Sequence, residues 1–423
     1  MAKARPPEAR ERGPDPEAPV IIVGAGPVGA SLALLLARRG IRVLLLERQR
    51  DFAREFRGEV VLPTGKDALQ EMGLAELVRG LPRSEPARFC IYIEHKLILE
   101  AGFNPELIGG TPAAISQPAL LEGLVAEGNK HPSFEFRRGT SVKQVLREGG
   151  RTVGVRVRDE DGEQQLRGRL VIGTDGRSSV VRRDSGIQIH ADAVPMDIVW
   201  CKFPALPDAP GDAPGTAWVR VYIGGGHLLI AYVSYDGQVQ VGWIIFKGTF
   251  GALRRRGLRD WIEKMANHAS PDLAAHFRRY ADQVSHPFLL DTASDCVLSW
   301  SAPGLLLLGD AAHTMSPVGG QGINVGLRDA VVAANHLVPA LRAGAADGIE
   351  AACRAIEAER VGEITRVQRL QALPPKVILG TAWWARSLRS LVPHLINRSF
   401  VQQEALKRFG IFFRGDGPVR LEV

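Results

Sequence analysis

An acid and a cluster of glycines follow an apolar run near residue 305, in an arrangement able to hold a charged ligand. Residues 305–308 predict a buried strand, which Gly309 and Asp310 end. A turn with three glycines in residues 319–322 then leads into a helix predicted at 325–337. The helix N-terminus offers free N–H groups and a positive dipole end, which suit an anionic ligand. An ordinary connection with Asp310 as helix cap is the alternative, although a cap needs fewer glycines.

A second unit near the beginning has a more specific pattern. Residues 20–23 predict a buried strand, a helix follows, and the next strand ends at Glu47. Between the first strand and the helix, Gly24 permits a tight turn, Gly26 lets a pyrophosphate approach, and Gly29 packs the helix on the strand. Glu47 is placed to bind ribose hydroxyls. The pattern predicts a site for FAD or NAD(P), and the acid disfavours a 2′-phosphate there.

A third strand ends in the same kind of turn. Residues 170–172 predict a buried strand, Gly173 and Asp175 follow it, and we expect Ser178 to cap the next helix. One such turn carries little information. Two of them after a dinucleotide-binding unit form a much rarer set.

Composition limits the remaining possibilities. The chain has 423 residues, 45% of them hydrophobic, and a net charge of +7 that is spread along the chain. Neither a basic patch with aromatic residues nor a nucleic-acid-binding motif accompanies that charge, so we expect no nucleic acid partner. The four cysteines form no CxxC motif, which argues against a zinc site and for a reducing compartment. No run of about 18 apolar residues predicts a transmembrane helix.

These patterns predict an α/β fold with two interleaved domains. A Rossmann-like, cofactor-binding domain combines a parallel sheet with a β-meander, and a mainly antiparallel sheet forms the substrate domain. We expect a disordered leader at 1–19, the cofactor domain at 20–85, 110–190 and 284–345, the substrate domain at 86–109 and 191–283, and C-terminal helices at 346–423.

The three motifs together resemble those of the single-component (group A) FAD-dependent aromatic hydroxylases, typified by para-hydroxybenzoate hydroxylase. The resemblance covers about residues 20–340 and includes Ala311-Ala312-His313 after Asp310. It implies non-covalent FAD, with NADH or NADPH as a transient electron donor. The implied cofactor-binding residues are Gly24, Gly26, Gly29, Glu47, Arg48, Arg57, Gln117, Asp175, Gly309, Asp310, Gly322, Ile323 and Asn324. Pro317, Gly320 and Gly322 would form, through their backbone, the pocket where oxygen reacts at flavin C4a; no metal site is implied.

The family resemblance implies a monooxygenase that inserts one oxygen atom into an aromatic or polycyclic molecule through a flavin C4a-hydroperoxide. Residues 57–63 are also similar to squalene-type epoxidases, so epoxidation of an isoprenoid or prenylated quinone stays open. A prenyl reductase is a further alternative. A halogenase is less favoured because residues 242–247 do not match the WxWxIP signature of that class.

Some assignments stay open at this point. The tyrosine that ionises phenols in the typical member has no match here, and Tyr222, Tyr232 and Tyr235 are candidates only by location. His227 and His313 have no assured role, and His313 is expected to be structural. We expect a cytoplasmic monomer or homodimer, and the apolar C-terminal part leaves peripheral membrane contact open.

Overall fold

The computed structural model describes residues 17–53, 59–103, 109–192, 196–206, 216–284, 287–290, 292, 294–378 and 417–423, with side chains described up to 372 in the last helix and up to 190 before residue 196. Arg57, most of the expected leader and the apolar stretch with Trp383 and Trp384 lie outside these residues.

The described residues form strands and helices with the following bounds. The strands are β1 (Val20–Val23), β2 (Val43–Leu46), β3 (Val60–Val61), β4 (Arg83–Ser84), β5 (Pro86–Ile93), β6 (Lys96–Gly102), β7 (Ala113–Ile115), β8 (Phe134–Arg137), β9 (Ser141–Glu148), β10 (Arg151–Asp159), β11 (Gly162–Arg167), β12 (Leu170–Gly173), β13 (Ile189–Asp192), β14 (Met196–Phe203), β15 (Ala217–Gly224), β16 (His227–Val233), β17 (Val239–Phe246), β18 (Phe288–Leu290), β19 (Ser294–Val297), β20 (Ser301–Ala302), β21 (Leu305–Leu307) and β22 (His313–Thr314). The helices are α1 (Pro27–Arg38), α2 (Pro63–Glu71), α3 (Ala75–Gly80), α4 (Gln117–Gly128), α5 (Val180–Ser185), α6 (Phe250–Arg255), α7 (Leu258–Ala266), α8 (Pro271–Arg279), α9 (Gln321–Ala343) and α10 (Ala346–Ile378).

A six-stranded sheet in the order β20-β21-β12-β1-β2-β8 forms the centre of the first domain, and all its pairs except β20-β21 are parallel. Its strands β1, β2, β12 and β21 are buried along their whole length, as expected for strands that helices cover on both faces. The meander β9-β10-β11 is antiparallel. The α/β fold with interleaved sheets is therefore confirmed.

The second sheet has seven strands in the order β18-β14-β17-β16-β15-β5-β6. Its side chains alternate between two faces. One face packs Val199, Leu229 and Trp243 against helices α7 and α8. The other, which we call the inner face, carries Ile198 and Ile230 among others and packs against Val318 of the first domain. The inner face is thus turned toward the glycine-rich turn that precedes α9.

Four local features differ from the sequence-based expectations. Helix α5 is capped by the hydroxyl of Ser179, which accepts the Arg182 N–H, and not by Ser178. Helix α10 continues through the prolines at 374 and 375, because proline removes one donor without ending every helix. Helix α3 was not predicted. Strand β18 pairs with β14 in the seven-stranded sheet, although the expected division assigned 284–345 to the cofactor domain.

Candidate active site

The turns that carry the sequence motifs meet at one edge of the parallel sheet. Strands β2, β1, β12 and β21 are parallel neighbours, so the residues that follow them lie side by side. Hydrogen bonds join these turns directly: Gly24 N donates to Leu46 O, and Thr174 N donates to Val23 O. Leu308 N in turn donates to Gly173 O. The three motifs, separate in sequence, therefore form one continuous surface.

The first glycine turn combines tight packing with one open position. A Cβ atom on Gly24, which has a φ of +103°, would lie 2.6 Å from Thr174 O. On Gly29 it would lie 2.0 Å from Gly24 O, whereas on Gly26 it would meet nothing within 4 Å. Gly24 and Gly29 therefore hold the turn against its neighbours. Gly26, the N-cap of α1, leaves that helix N-terminus open to a ligand.

Glu47 is buried and closes the other side of this turn. Its Oε2 accepts the Ala25 N–H at 3.0 Å, and its Oε1 accepts the Gln49 N–H at 3.0 Å. The carboxylate thus orders the turn and lies beside it. Arg48 is exposed.

Asp175 has a role that the sequence did not indicate. Its carboxylate accepts hydrogen bonds from the Ser179 hydroxyl and from the N–H groups of Val180 and Val181 at the start of α5. Burial raises the pKa of this carboxyl, and the hydrogen bonds oppose that effect. Asp175 therefore shapes the turn after β12 by capping a helix.

The turn after β21 places Asp310 at the same edge. Its Oδ2 accepts a hydrogen bond from Nε of Arg177 at 3.4 Å, and about a third of each side chain is exposed. Gly309 lies against α1: a Cβ atom there would be 2.8 Å from Val28 Cγ2. The same Val28 atom would lie 2.6 Å from a Cβ on Gly326 in α9. The Gly-Asp turn, α1 and α9 are therefore in contact.

The turn from Pro317 to Gly320 leads into α9. Gly319 and Gly320 have φ values of +77° and +64°, which side-chain-bearing residues rarely adopt. A Cβ atom on Gly320 or Gly322 would meet nothing within 4 Å. The first N–H groups of α9, which include those of Gly322 and Ile323, are thus next to open space.

The Asn324 side chain is used internally. Its Oδ1 accepts the Leu62 N–H at 2.8 Å, and its Nδ2 donates to Gly320 O at 2.8 Å. The side chain is fully buried. It joins the turn before α9 to the segment that starts α2, a function that no local sequence pattern predicts.

Two glutamines of α10 hold the same turn from behind. Nε2 of Gln371 donates to the carbonyls of Ser316 and Val318 at 2.7 and 2.8 Å, and Nε2 of Gln368 donates to Thr314 O at 3.1 Å. Neither glutamine was among the site residues predicted from the sequence. Their i, i+3 spacing on a long helix is the only signal they leave in the sequence.

His313 belongs to a buried ion network beneath the site. Its Nε2 is 2.7 Å from Oδ2 of Asp329, and the Arg360 guanidinium contacts the other Asp329 oxygen at 2.7 Å. Burial raises the Asp329 pKa, but His313 and Arg360 overcome this and lower it overall. This buried pairing agrees with a structural role for His313.

Gln117 begins α4 beside a cavity of about 730 Å³. The cavity is lined by Asp51, Phe52, Ala53, Ser116, Pro118, Glu122 and Tyr235, so it lies between the first domain and the second sheet. The open glycines and the two helix N-termini fit the pyrophosphate and other anionic groups of a dinucleotide, and the cavity offers space for an attached ring system.

A family model described as "FAD binding domain" matches residues 17–363. The chain belongs to this family. Over 405 residues it is 32% identical to 6-methylpretetramide 4-monooxygenase of Streptomyces rimosus, covering 95% of this chain and 93% of the relative. It is 29% identical over 341 residues to a probable NADH-specific resorcinol 4-hydroxylase of Rhodococcus jostii, covering 78% of this chain and 59% of that protein.

Solved structures show the same fold. p-Nitrophenol 4-monooxygenase PnpA of Pseudomonas putida superposes with a TM-score of 0.76 at 21% identity, covering 94% of this chain and 98% of PnpA. The flavin-dependent brominase Bmp2 gives 0.73 at 16% identity, covering 93% of each chain. At these identities the likeness concerns the fold alone.

The protein is an FAD-dependent monooxygenase that uses NAD(P)H and O₂ to insert one oxygen atom into an aromatic or polycyclic molecule. The sequence-based prediction of family, cofactor and reaction is thereby confirmed. Among the described residues, no helix is long and apolar enough to span a membrane, and no group of acidic, histidine and cysteine side chains is arranged to hold a metal.

Proposed function

We propose that this enzyme hydroxylates a phenolic ring of a fused polycyclic aromatic compound, held between the inner face and the 317–320 turn. The observation that carries the proposal is the inner face itself. Ile198 and Leu228 form an apolar cluster against Val318, and Trp200 and Ile230 pack on it. A broad apolar surface opposite the cofactor turn suits a flat, extended ring system. The name of the Streptomyces rimosus relative, a pretetramide monooxygenase, supports the same substrate class.

The proposal assigns the site residues as follows. The α1 N-terminus at Gly26 binds the FAD pyrophosphate, Glu47 binds ribose hydroxyls of the ADP half with assistance from Arg48, and Asp310 binds the ribityl chain. By the family resemblance, Arg57 contacts the pyrophosphate side. Gln117 contacts the cofactor from the cavity side. The remaining site residues support the fold of the site or contact the cofactor through their backbone: Gly24, Gly29, Asp175, Gly309, Pro317, Gly320, Gly322, Ile323 and Asn324.

Bound FAD supplies hydride acceptance from NADH or NADPH and the activation of O₂. The protein contributes orientation, electrostatics and exclusion of water. The N–H groups at the start of α9 stabilise negative charge on a bound ligand, because they point along the positive end of the helix dipole. Gln371 fixes the turn that covers this place, and so limits the entry of water.

Epoxidation of an isoprenoid is the second candidate. It is supported by 28% identity over 323 residues to squalene monooxygenase of Mus musculus. Buried polar groups at one end of the inner face, Glu59 and Tyr232, favour a hydroxylated substrate over a pure hydrocarbon.

The four cysteines are unpaired, which supports a cytoplasmic location. The enzyme is a monomer or a homodimer, and peripheral contact with a membrane stays open.

The test combines a flavin spectrum with substrate-stimulated turnover. Purified protein is reconstituted with FAD and given NADH or NADPH under air with hydroxyanthraquinones, simple phenols, quinolines or prenylated quinones. Hydroxylated product, detected as a mass gain of one oxygen with a fused phenolic substrate, supports the proposal. Turnover confined to prenylated compounds with epoxide formation would favour the second candidate. Chloride- or bromide-dependent halogenation would overturn both.

A further inference from the structure

Glu59 is a buried acid at the junction between the cofactor-binding domain and the seven-stranded sheet. Only 4% of its surface is exposed. Its backbone carbonyl accepts the Ile115 N–H at 2.8 Å, and the Leu62 N–H three residues later is fixed by Asn324. The backbone on which Glu59 stands is therefore held from two sides, and connects directly to the turn before α9.

The carboxyl group of Glu59 faces polar groups of the second sheet. The hydroxyls of Tyr232 and Ser234 lie within its interaction range, as do the charges of Lys202 and Asp236. Nζ of Lys202 is 2.7 Å from the Asp236 carboxylate, which is partly exposed. These residues form a polar group at one end of the sheet, which we call the Glu59 cluster.

Tyr232 belongs to the inner face. Along β16, Leu229 and Ala231 point to the helix-covered face, whereas Leu228 and Ile230 point to the face that meets Val318. Alternation places Tyr232 on the same side as Ile230. The Glu59 cluster therefore continues the apolar surface on which we place the aromatic substrate.

The cluster has unused hydrogen-bonding capacity. Oε1 of Glu59, the hydroxyl of Tyr232 and Oγ of Ser234 are all buried. Both hydroxyls lie close enough to act on the carboxyl group, but none of the three atoms makes a hydrogen bond of standard length and angle among the described residues. Buried polar atoms in native proteins are nearly always satisfied by protein, water or ligand. Three such atoms at one place, two of them on the inner face or its edge, point to a bound hydroxyl group.

We propose that Glu59 and Tyr232 bind a phenolic hydroxyl of the substrate and that Glu59 accepts its proton. This inference rests on the proposed function. The phenolic O–H bond breaks, a new O–H bond forms on the Glu59 carboxylate, and the electron pair stays on the phenolate oxygen. The proton passes to solvent when product leaves. The phenolate donates electron density to its ring, which makes the ortho and para carbons better nucleophiles toward an electrophilic oxygen.

The electrostatics of the cluster agree with this role. Burial raises the pKa of Glu59, and the Ser234 hydroxyl and the Lys202 charge oppose that effect without cancelling it. A carboxylate with a raised pKa is a stronger base than a free one, and so is better matched to a phenol.

The experiment compares Glu59→Gln with Glu148→Gln, an exposed glutamate on the meander. Both FAD-loaded proteins are titrated with 1,2-dihydroxyanthraquinone, whose visible absorption shifts when the phenol ionises, and with its methyl ethers. Wild type and Glu148→Gln should show the phenolate band at a pH below that of free ionisation. Glu59→Gln should lack the phenolate band, and its kcat should fall at least about tenfold while its FAD content is unchanged. Tyr232→Phe should raise KM more than it lowers kcat; Tyr222→Phe, on the opposite face, controls for it.

The outcomes separate the two proposals. If wild type oxygenates no fused phenol, the proposed function fails. If wild type oxygenates it but Glu59→Gln keeps the phenolate band and the rate, only the assignment of Glu59 is overturned. If Glu59→Gln lowers the melting temperature and the FAD content together, with the band retained in the loaded fraction, Glu59 is structural and the inference is likewise overturned.

Discussion

The side-chain oxygen of Asn324 accepts a 2.8 Å hydrogen bond from the backbone N–H of Leu62, 262 residues earlier in the chain. The same side chain donates to Gly320 O. One buried amide thus connects the start of α9, the turn before it and the segment that carries Glu59. Asn324 therefore links the cofactor turn to the segment that carries the Glu59 cluster.

Replacing Asn324 by alanine should therefore affect folding and FAD binding together. The change leaves the buried Leu62 N–H without a partner, and the expected loss is about 1–3 kcal/mol in the free energy of unfolding. Urea denaturation and flavin stoichiometry measure the two effects. Asn335→Ala is the control, because that half-buried amide on the same helix bonds, among the described residues, to the backbone of Arg420 and Glu422. Equal stability of the two variants would contradict the assignment.

The two glycines of the first turn should respond differently to substitution. Gly26→Val should fold, with a loss of about 1 kcal/mol because valine is a poor helix N-cap. It should retain little FAD, because the new side chain enters the open space where we place the pyrophosphate. Gly29→Ala should be poorly folded, since its Cβ would lie 2.0 Å from Gly24 O. Circular dichroism and flavin absorbance distinguish the cases. Full flavin occupancy in Gly26→Val would remove this turn from the site.

Asp310→Ala should lose most of its bound FAD with a small change in stability. The ion pair with Arg177 is partly exposed, and such pairs contribute about 0–1 kcal/mol. The expected defect therefore concerns the cofactor. Asp347→Ala, at the exposed start of α10, is the matched control. A variant at 310 with normal flavin content would show that this acid does not bind the ribityl chain.

Gln371→Ala should reduce the coupling of NAD(P)H oxidation to product. Without its two hydrogen bonds to Ser316 O and Val318 O the turn loosens, and water reaches the reacting groups. We expect at least about twofold more hydrogen peroxide per NAD(P)H consumed. Gln165→Ala on the exposed side of the meander should match wild type. An unchanged peroxide yield in Gln371→Ala would show that this glutamine does not contribute to the exclusion of water by the turn.

Mild acid should destabilise the second domain through His227. Burial, His268 and Lys264 lower the His227 pKa from 6.5 to about 4. Because the unfolded chain binds this proton first, stability is complete above about pH 6.5 and is lost as the pH falls toward 4. The full shift corresponds to about 3 kcal/mol, and partial exposure of the ring reduces the expected loss to about 1–2 kcal/mol. His227→Gln should reduce the dependence of the melting temperature on pH between pH 7 and 5, whereas the exposed His190→Gln should leave that dependence unchanged.

The sequence predicted the features that depend on neighbouring residues. The strands that lead into the turns at Gly24, Gly173 and Gly309 each have a local pattern, and the family resemblance assigned the three turns to one FAD site. Ser179 in place of Ser178 as the α5 cap is a one-residue error, because either hydroxyl satisfies the pattern. Family and reaction were predicted in this way, whereas the residue roles stay predictions.

Long-range contacts could not be predicted from one chain. Glu59 and Tyr232 are 173 positions apart, and nothing near either residue indicates the other. The family resemblance implied a cofactor-binding role for Asp175, whereas only the geometry shows its three hydrogen bonds at the start of α5. A buried acid facing another domain has no periodic signal, so the Glu59 cluster emerged only from the fold.

The hydrogen bonds from Gln368 and Gln371 to residues 314–318 have a consequence for recombination between related enzymes. A chimera that exchanges strands of the second sheet keeps both partners of every one of these bonds. When the crossover lies between α9 and α10, the two glutamines come from one parent and the carbonyl groups that accept their hydrogen bonds come from the other. Exchanges that aim at new substrates should therefore inherit β22, the turn and α10 from one parent.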